Sequence, residues 1–394
     1  MKILHTSDLH LGDIWRGIPR WNDQMRVLDE ILCLCAEHDV DLLLVAGDVF
    51  SDRVQGRHEA VAKRFLEKLR PALQRGMAVF LLRGNHDPFA LFDLMGLMMQ
   101  EMAGGDRWPL VIAALPGVYP IPGRALQVVA LPYVGPSWLH EQHFDPEQDP
   151  EERVAGLTGQ LGMALDWLYH QSAPGVPTIF TAHMTVRGAS LTPEVEAESG
   201  YHREMMLERE RLPDFTSYNA LGHIHLTQSL NAVKPTWYSG SPERVNQGER
   251  EYLPCVLLVE TPDTPGGAAS VRKLYLDSCT VFLNETLRGV DAVAAFCARG
   301  LRDPLGELEL AQIPISERGG VEAQIRVVAP RILFRWQRED EPEPVVDANR
   351  VDPADVPHFF HAYVEQAYAQ QPDQRAKLAA AFDALWSEQA EAAV

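Results

Sequence analysis

The stretch FLLRGNHDP, residues 80–88, opens as an apolar run and then breaks into Asn85, His86 and Asp87 directly after Gly84. A short apolar run bounded by Gly and Pro reads as a strand buried in a sheet. The amide, imidazole and carboxylate at its end require partners, because each polar group buried without one costs about 1–3 kcal/mol. Something at that edge must receive them.

The same form recurs on either side. KILHTSD (2–8) and DLLLVAGD (41–48) are apolar runs ending in polar residues, as is the longer segment AVFLLRGNHD (78–87). Between them lie helical stripes, first Met25, Leu28, Ile31, Leu32 and Cys35, then Val61, Phe65, Leu66, Leu69 and Leu73 with Gly76 placed to end the helix. Strands alternating with helices predict an α/β fold with parallel strands covered on both faces. VPTIFTAHM (176–184) and FTSYNALGHIH (215–225) repeat the pattern and again end in histidine.

Further strands are expected near Val111 and Val128, within 236–260 and at 270–276, a helix over 153–170, and a long surface loop over 185–212. From about 278 the texture changes to a strand at VFLNETL, a helix over 290–299 and a strand over 323–336. The expected organisation is a main domain over 1–277, a small α+β domain over 278–338, an acidic linker over 339–356 and a helical tail over 357–394.

The 394 residues are 46% hydrophobic, without an apolar run near the roughly 20 residues that a bilayer crossing needs. MKILHTSD has no signal-peptide pattern and the five cysteines show no C-x-x-C spacing, so a cytoplasmic protein without a membrane role is expected. A formal charge of -20 argues against diffuse nucleic-acid binding. Screening sets in over about 8 Å, however, so local charge decides what a cleft binds.

Every chemistry-bearing group lies at a carboxyl end: Asp8 and His10 on the first strand, Asp48 on the second, Asn85 and His86 on the third, His183 on the fourth, His223 and His225 on the fifth. That edge of an open α/β sheet is where binding crevices form. Carboxylates, an amide and imidazoles without thiolate suit manganese, iron or zinc. Asp48, alone on its strand, is the choice to bridge two divalent ions about 3.5–4 Å apart, the arrangement of two-metal phosphoryl chemistry. His5 faces away and reads as structural. Arg16, Arg20, Arg53, Arg57, Arg187, Tyr201, His202 and Arg203 are candidate contacts for a nucleic-acid strand.

Asp8-Leu-His10, Gly47-Asp48, Gly84-Asn85-His86-Asp87, His183 and Gly222-His223-Ile224-His225 together resemble the calcineurin-like metallophosphoesterases, in order over the first 240 residues or so. HTSDLHLGD, AGDVF, RGNHDP, LPY, GHIH and YSGSPERVNQGE look like the SbcD type, a nuclease of DNA double-strand-break repair. The resemblance implies a sandwich of two sheets flanked by helices, with a small α+β capping domain and a helical tail. It implies one ion on Asp8, His10, Asp48 and His225, the other on Asp48, Asn85, His183 and His223, with manganese as the metal and His86 as the catalytic group. It further implies DNA as substrate, exonuclease and endonuclease action, an SbcC-type ATPase partner, and a homodimer within a heterotetramer. Relatives carry His or Asp three residues after the bridging aspartate; here Ser51 and Asp52 stand there, and with Asp87 they are candidates for support around His86. The alternatives are a small-nucleotide or lipid phosphodiesterase on the same metals, and a non-enzymatic scaffold for the ATPase.

Overall fold

Alternation along each buried strand sends successive side chains to opposite faces, and this sorts the apolar runs into three cores. The structure, a computed structural model, describes residues 1–54, 56–101, 108–133, 150–191, 206–262, 264–337, 356–367 and 372–392. Among these residues one sheet contains β1 (Lys2–Thr6), β4 (Leu42–Val45), β5 (Ala78–Leu82), β6 (Leu110–Ala113), β13 (Cys255–Glu260) and β14 (Ser270–Tyr275), in the order β14-β13-β1-β4-β5-β6. A small hairpin, β2 (Ile14–Trp15) with β3 (Ile18–Pro19), follows β1. The second sheet contains β7 (Gly117–Pro120), β8 (Gln127–Leu131), β9 (Thr178–His183), β10 (Tyr218–Gly222), β11 (Gln228–Leu230) and β12 (Thr236–Tyr238), in the order β11-β12-β10-β9-β8-β7.

Neighbours β1, β4, β5 and β6 pair in parallel, as do β8, β9, β10 and β12; antiparallel strands flank each set. Leu4, Leu43, Val45, Val79 and Leu81 face Val27, Ile31, Phe65 and Leu69 of helices α1 (Trp21–Glu37) and α2 (His58–Gln74), and Phe92 of α3 (Phe89–Glu101) joins the same core. Ile3, Leu42, Leu44, Phe80 and Leu82 point the other way, against Val128, Ile179, Tyr218 and Ala220 of the second sheet. The far face of that sheet, with Val129, Leu131 and Phe180, packs on Leu161, Leu165 and Leu168 of α4 (Pro150–Gln171). Helix, sheet, sheet, helix is therefore the layering. His5 shares the direction of Ile3 and lies buried between the sheets, its Nδ1 2.8 Å from the Tyr218 hydroxyl.

By internal contacts the chain divides into one compact unit, Met1–Leu283 with Leu301–Gly306, and a second, Asn284–Gly300 with Glu307–Val394. The second holds most of a sheet ordered β15-β16-β17 (Phe282–Arg288, Leu305–Ala311, Ile332–Trp336), helices α5 (Gly289–Cys297) and α6 (Ile315–Val328), and a pair α7 (Val356–Ala367) and α8 (Pro372–Ala392). Phe360 of α7 stacks on Phe382 of α8 at 4.0 Å.

One expectation needs correction: 323–336 is not a single strand. Val321 and Ile325, four apart, form the buried face of α6, and only Ile332–Trp336 extends. An unexpected strand, β16, precedes it, with Leu305, Leu308 and Leu310 inward and Glu307 and Glu309 less buried. The expected linker lies largely outside the described residues.

Candidate metal centre

Because their strands run parallel, β1, β4 and β5 release Asp8, His10, Asp48, Asn85 and His86 at one edge of the first sheet. β9 and β10 bring His183, His223 and His225 to the facing edge of the second. The loops are tied to each other by the chain's own hydrogen bonds. Asp8 N–H donates to Gly47 C=O (2.9 Å), His10 N–H to Asp48 C=O (3.1 Å), His86 N–H to Asp48 Oδ1 (2.9 Å) and His223 N–H to Asp8 Oδ1 (3.2 Å). Ser7 Oγ, itself 2.7 Å from Ser239 Oγ, donates to Asp8 Oδ2 at 2.5 Å.

This turn geometry is strained. Asp8 (φ 54°), His10 (44°), Asp48 (50°) and His223 (98°) all occupy positive-φ backbone, which disfavours residues other than Gly. Such strain clusters at functional sites and persists where the surroundings over-determine the conformation. Glycine supplies the closest approaches: a Cβ on Gly84 would stand 2.0 Å from Asp48 Oδ1, and one on Gly222 2.0 Å from Ala46 O.

The side chains converge tightly. Donor atoms lie within 4.8 Å of one another in the sets Asp8–His10–His225, Asp8–Asp48–His183 and His10–Asp48–His86. His183 Nε2 is 3.2 Å from Asp48 Oδ2 and 3.0 Å from Asn85 Oδ1; His223 Nδ1 is 3.1 Å from the same Asn85 oxygen. His10 Nε2 and His225 Nε2 are 3.2 Å apart. Every candidate ligand among the eight residues thus reaches one centre, with Asp48 between the two groups.

The donors fit a pair of divalent ions. His183 Nδ1 sits 2.8 Å from the Ala46 carbonyl, which requires a proton there and turns the Nε2 lone pair toward Asn85 Oδ1 and Asp48 Oδ2. Three acceptors facing one another demand a cation or a proton in their midst. In the protein alone protons fill that need. Burial opposes charging His183 and His225, but Asp48 outweighs it for the first and Glu249 for the second, pushing them up to about 9 and about 10. Burial likewise disfavours the Asp48 carboxylate, yet His183, His10 and His86 hold it well below its usual range. Burial dominates at His10, which is pushed down.

The supporting residues divide differently from expectation. Asp87 does not hold the His86 ring: its carboxylate accepts from Gly84 N–H (2.8 Å), Phe50 N–H (2.8 Å) and Val49 N–H (3.2 Å), bracing the β4 and β5 loops together. Burial and the Asp48 charge push it up to about 7. Ser51 is buried and donates to Asp13 Oδ1 (3.0 Å). Asp52 is the residue beside the ring, with Oδ1 3.4 Å from His86 Nδ1.

Of the candidate strand contacts, Arg20 is corrected. It is buried, bonded through Nε to Asp23 (2.8 Å) and paired with Glu243 (3.3 Å), so no phosphate reaches it. Arg16 is exposed at the hairpin tip over Trp15, and Arg53 and Arg57 are exposed. Arg187 is exposed but holds Glu208 through Nε at 2.9 and 3.0 Å. Tyr201, His202 and Arg203 lie outside the described residues. The sequence reading missed Ser7 and Glu249; the latter's Oε1 is 2.6 Å from His225 Nδ1.

A two-sheet α/β core with carboxylate and imidazole donors on one edge defines a metal-dependent phosphoesterase, and the family model described as calcineurin-like phosphoesterase matches residues 1–225, over half the chain. The chain belongs to this family and is a metal-dependent phosphodiesterase. Within it the sequence is similar to chains of the SbcD type. It is 29% identical over 285 residues to the SbcD component of nuclease SbcCD from Bacillus subtilis, covering 71% of this chain and 70% of that one. It is 28% identical to the corresponding SbcD chains of Rhodobacter capsulatus (68% of each chain) and Escherichia coli (61% of this chain, 60% of that one).

Proposed function

We propose that the protein is a manganese-dependent DNA nuclease, acting as a double-strand exonuclease and single-strand endonuclease in DNA repair together with an SbcC-type ATPase. The observation that carries the catalytic part is the meeting of Asp8, His10, Asp48, Asn85, His183, His223 and His225 from two sheets at one centre. The choice of DNA over a small ester is supported by similarity to three SbcD chains over 268 to 285 residues. Asp8, His10, Asp48 and His225 would hold one ion, and Asp48, Asn85, His183 and His223 the other.

Bound there, two divalent ions supply Lewis-acid charge to the phosphoryl group in an in-line displacement. His86, with its side chain 20% exposed against 6% or less for His10, Asp48 and His183, is the imidazole that faces substrate. It donates its proton to the departing sugar oxygen, a role suited to imidazole. Asp52 beside Nδ1 orients the ring. Arg16, Arg53 and Arg57 offer exposed cations to the phosphates beyond the scissile one.

Apolar side chains exposed on α3, namely Phe89, Leu94, Leu97 and Met98, support a self-association surface, in keeping with a homodimer inside a heterotetramer. Helices α7 and α8 are the proposed ATPase-binding tail. No helix among the described residues is long and apolar enough to cross a membrane.

The test is digestion of end-labelled linear duplex, with the ATPase supplied, in manganese and in chelator. Wild type degrades the duplex only with metal. Asp48→Ala loses both activity and bound metal, whereas His86→Ala keeps its metal and loses at least about 100-fold in rate. Rapid hydrolysis of a small nucleotide ester with the duplex untouched would overturn the reading.

A further inference from the structure

Glu249 is buried and lies in a 3-10 turn, Gln247–Glu249, opened by Asn246, whose Oδ1 accepts from Gly248 N–H at 2.7 Å. Its Oε2 accepts from Val245 N–H (2.8 Å), and Asn246 Nδ2 donates to Oε1 (3.2 Å). Held by these bonds, Oε1 stands 2.6 Å from His225 Nδ1. An acceptor so placed fixes the proton on Nδ1 and aims Nε2 into the cluster, toward His10 Nε2 (3.2 Å) and Asp8 Oδ1 (3.9 Å). His183 is aimed by a different device: its Nδ1 faces the neutral carbonyl of Ala46. Behind the His225 imidazole therefore stands a second carboxylate, and behind that of His183 a peptide dipole. A carboxylate behind a histidine raises its basicity as a ligand, and loss of such a partner lowers metal affinity about 10–100-fold.

Resting on the dinuclear reading above, we propose that Glu249 is a positioning residue that makes the Asp8–His10–His225 site the tighter of the two ion sites. The full chain, stripped of metal, is titrated with manganese while free ion is followed by its paramagnetic resonance signal and heat by calorimetry. Wild type is expected to bind two ions in two affinity classes. Glu249→Gln, which keeps an acceptor for Val245 N–H but removes the charge, should weaken the tighter class about 10–100-fold and leave the other as in wild type.

In a His225→Ala background the same substitution should change nothing further, because Glu249 acts through that ring. If the fold rejects Gln, Glu249→Asp keeps the charge, shortens the reach and should give the same class-selective loss. Equal weakening of both classes, unchanged binding, or an effect that persists without His225 would overturn the proposal while leaving the dinuclear centre standing. A wild-type stoichiometry below two would instead overturn that centre, and the proposal with it.

Discussion

At the proposed metal centre protons and metal ions compete for the same lone pairs on His183 and His225. Both imidazoles are raised in the metal-free protein, to about 9 and about 10, by the Asp48 and Glu249 carboxylates against the opposing effect of burial. At neutral pH each therefore carries a proton that an incoming ion must displace. Apparent manganese affinity should climb as pH rises from neutral toward about 9 to 10 and level off above. Titrations across that range, with proton release measured in buffers of different ionisation enthalpy, check this; a flat profile sinks it. The candidate ligands were legible because each follows a strand-like run or a glycine, a pattern local to a few residues. Glu249 was not, since its partner lies 24 positions away. Arg20 misled for the opposite reason: an arginine reads as surface until Asp23 and Glu243 are found enclosing it.

Among the elements, those with a single strong period were readable. Strands β1, β4, β5, β8, β9 and β10 are buried on both faces and the helices α1 and α2 on one, so continuous runs and 3.6-residue stripes gave them away. β16 was missed although Leu308 and Leu310 alternate with Glu307 and Glu309 as a strand should, and α6 hid behind the apolar residues that continue into β17. Glycine separates elements under tight constraint from those without. Gly84→Ala drives a methyl into Asp48, within 2.3 Å of its backbone nitrogen, and should cost about 1–3 kcal/mol in denaturant unfolding along with metal binding. Gly156→Ala, in mid-α4 with open space around it, should be stabilising by up to about 1 kcal/mol, since Ala is the better helix former. Equal behaviour of the two variants would refute the contrast.

Across the whole molecule, stability carries a pH dependence of its own. Burial lowers His5 from 6.5 to about 3, so between those values the unfolded chain binds the proton and the folded one does not. The His5 contribution to stability thus rises with pH through that window, and acidification from 6.5 toward 3 removes on the order of a few kcal/mol of it, while Asp87, raised from 3.8 to about 7, contributes the opposite slope. His5→Gln should flatten this stretch of the urea midpoint against pH; curves parallel to wild type would contradict it. The formal charge of -20 belongs to the surface at large and says little about the cleft. There the cationic ions, and not the average composition, set the potential that a phosphodiester meets.

The donors come from both layers of the sandwich: Asp8, His10, Asp48 and Asn85 from one, His183, His223 and His225 from the other. Between the layers much of the contact is apolar packing, which has no preferred direction along the plane, and the bonds of His223 N–H to Asp8, His183 to the Ala46 carbonyl and His5 to Tyr218 are what hold one layer in register with the other. The enzyme consequently doubles as a gauge of shear. A slip between its two halves would have to break those bonds before it could pull the assembly of donors apart.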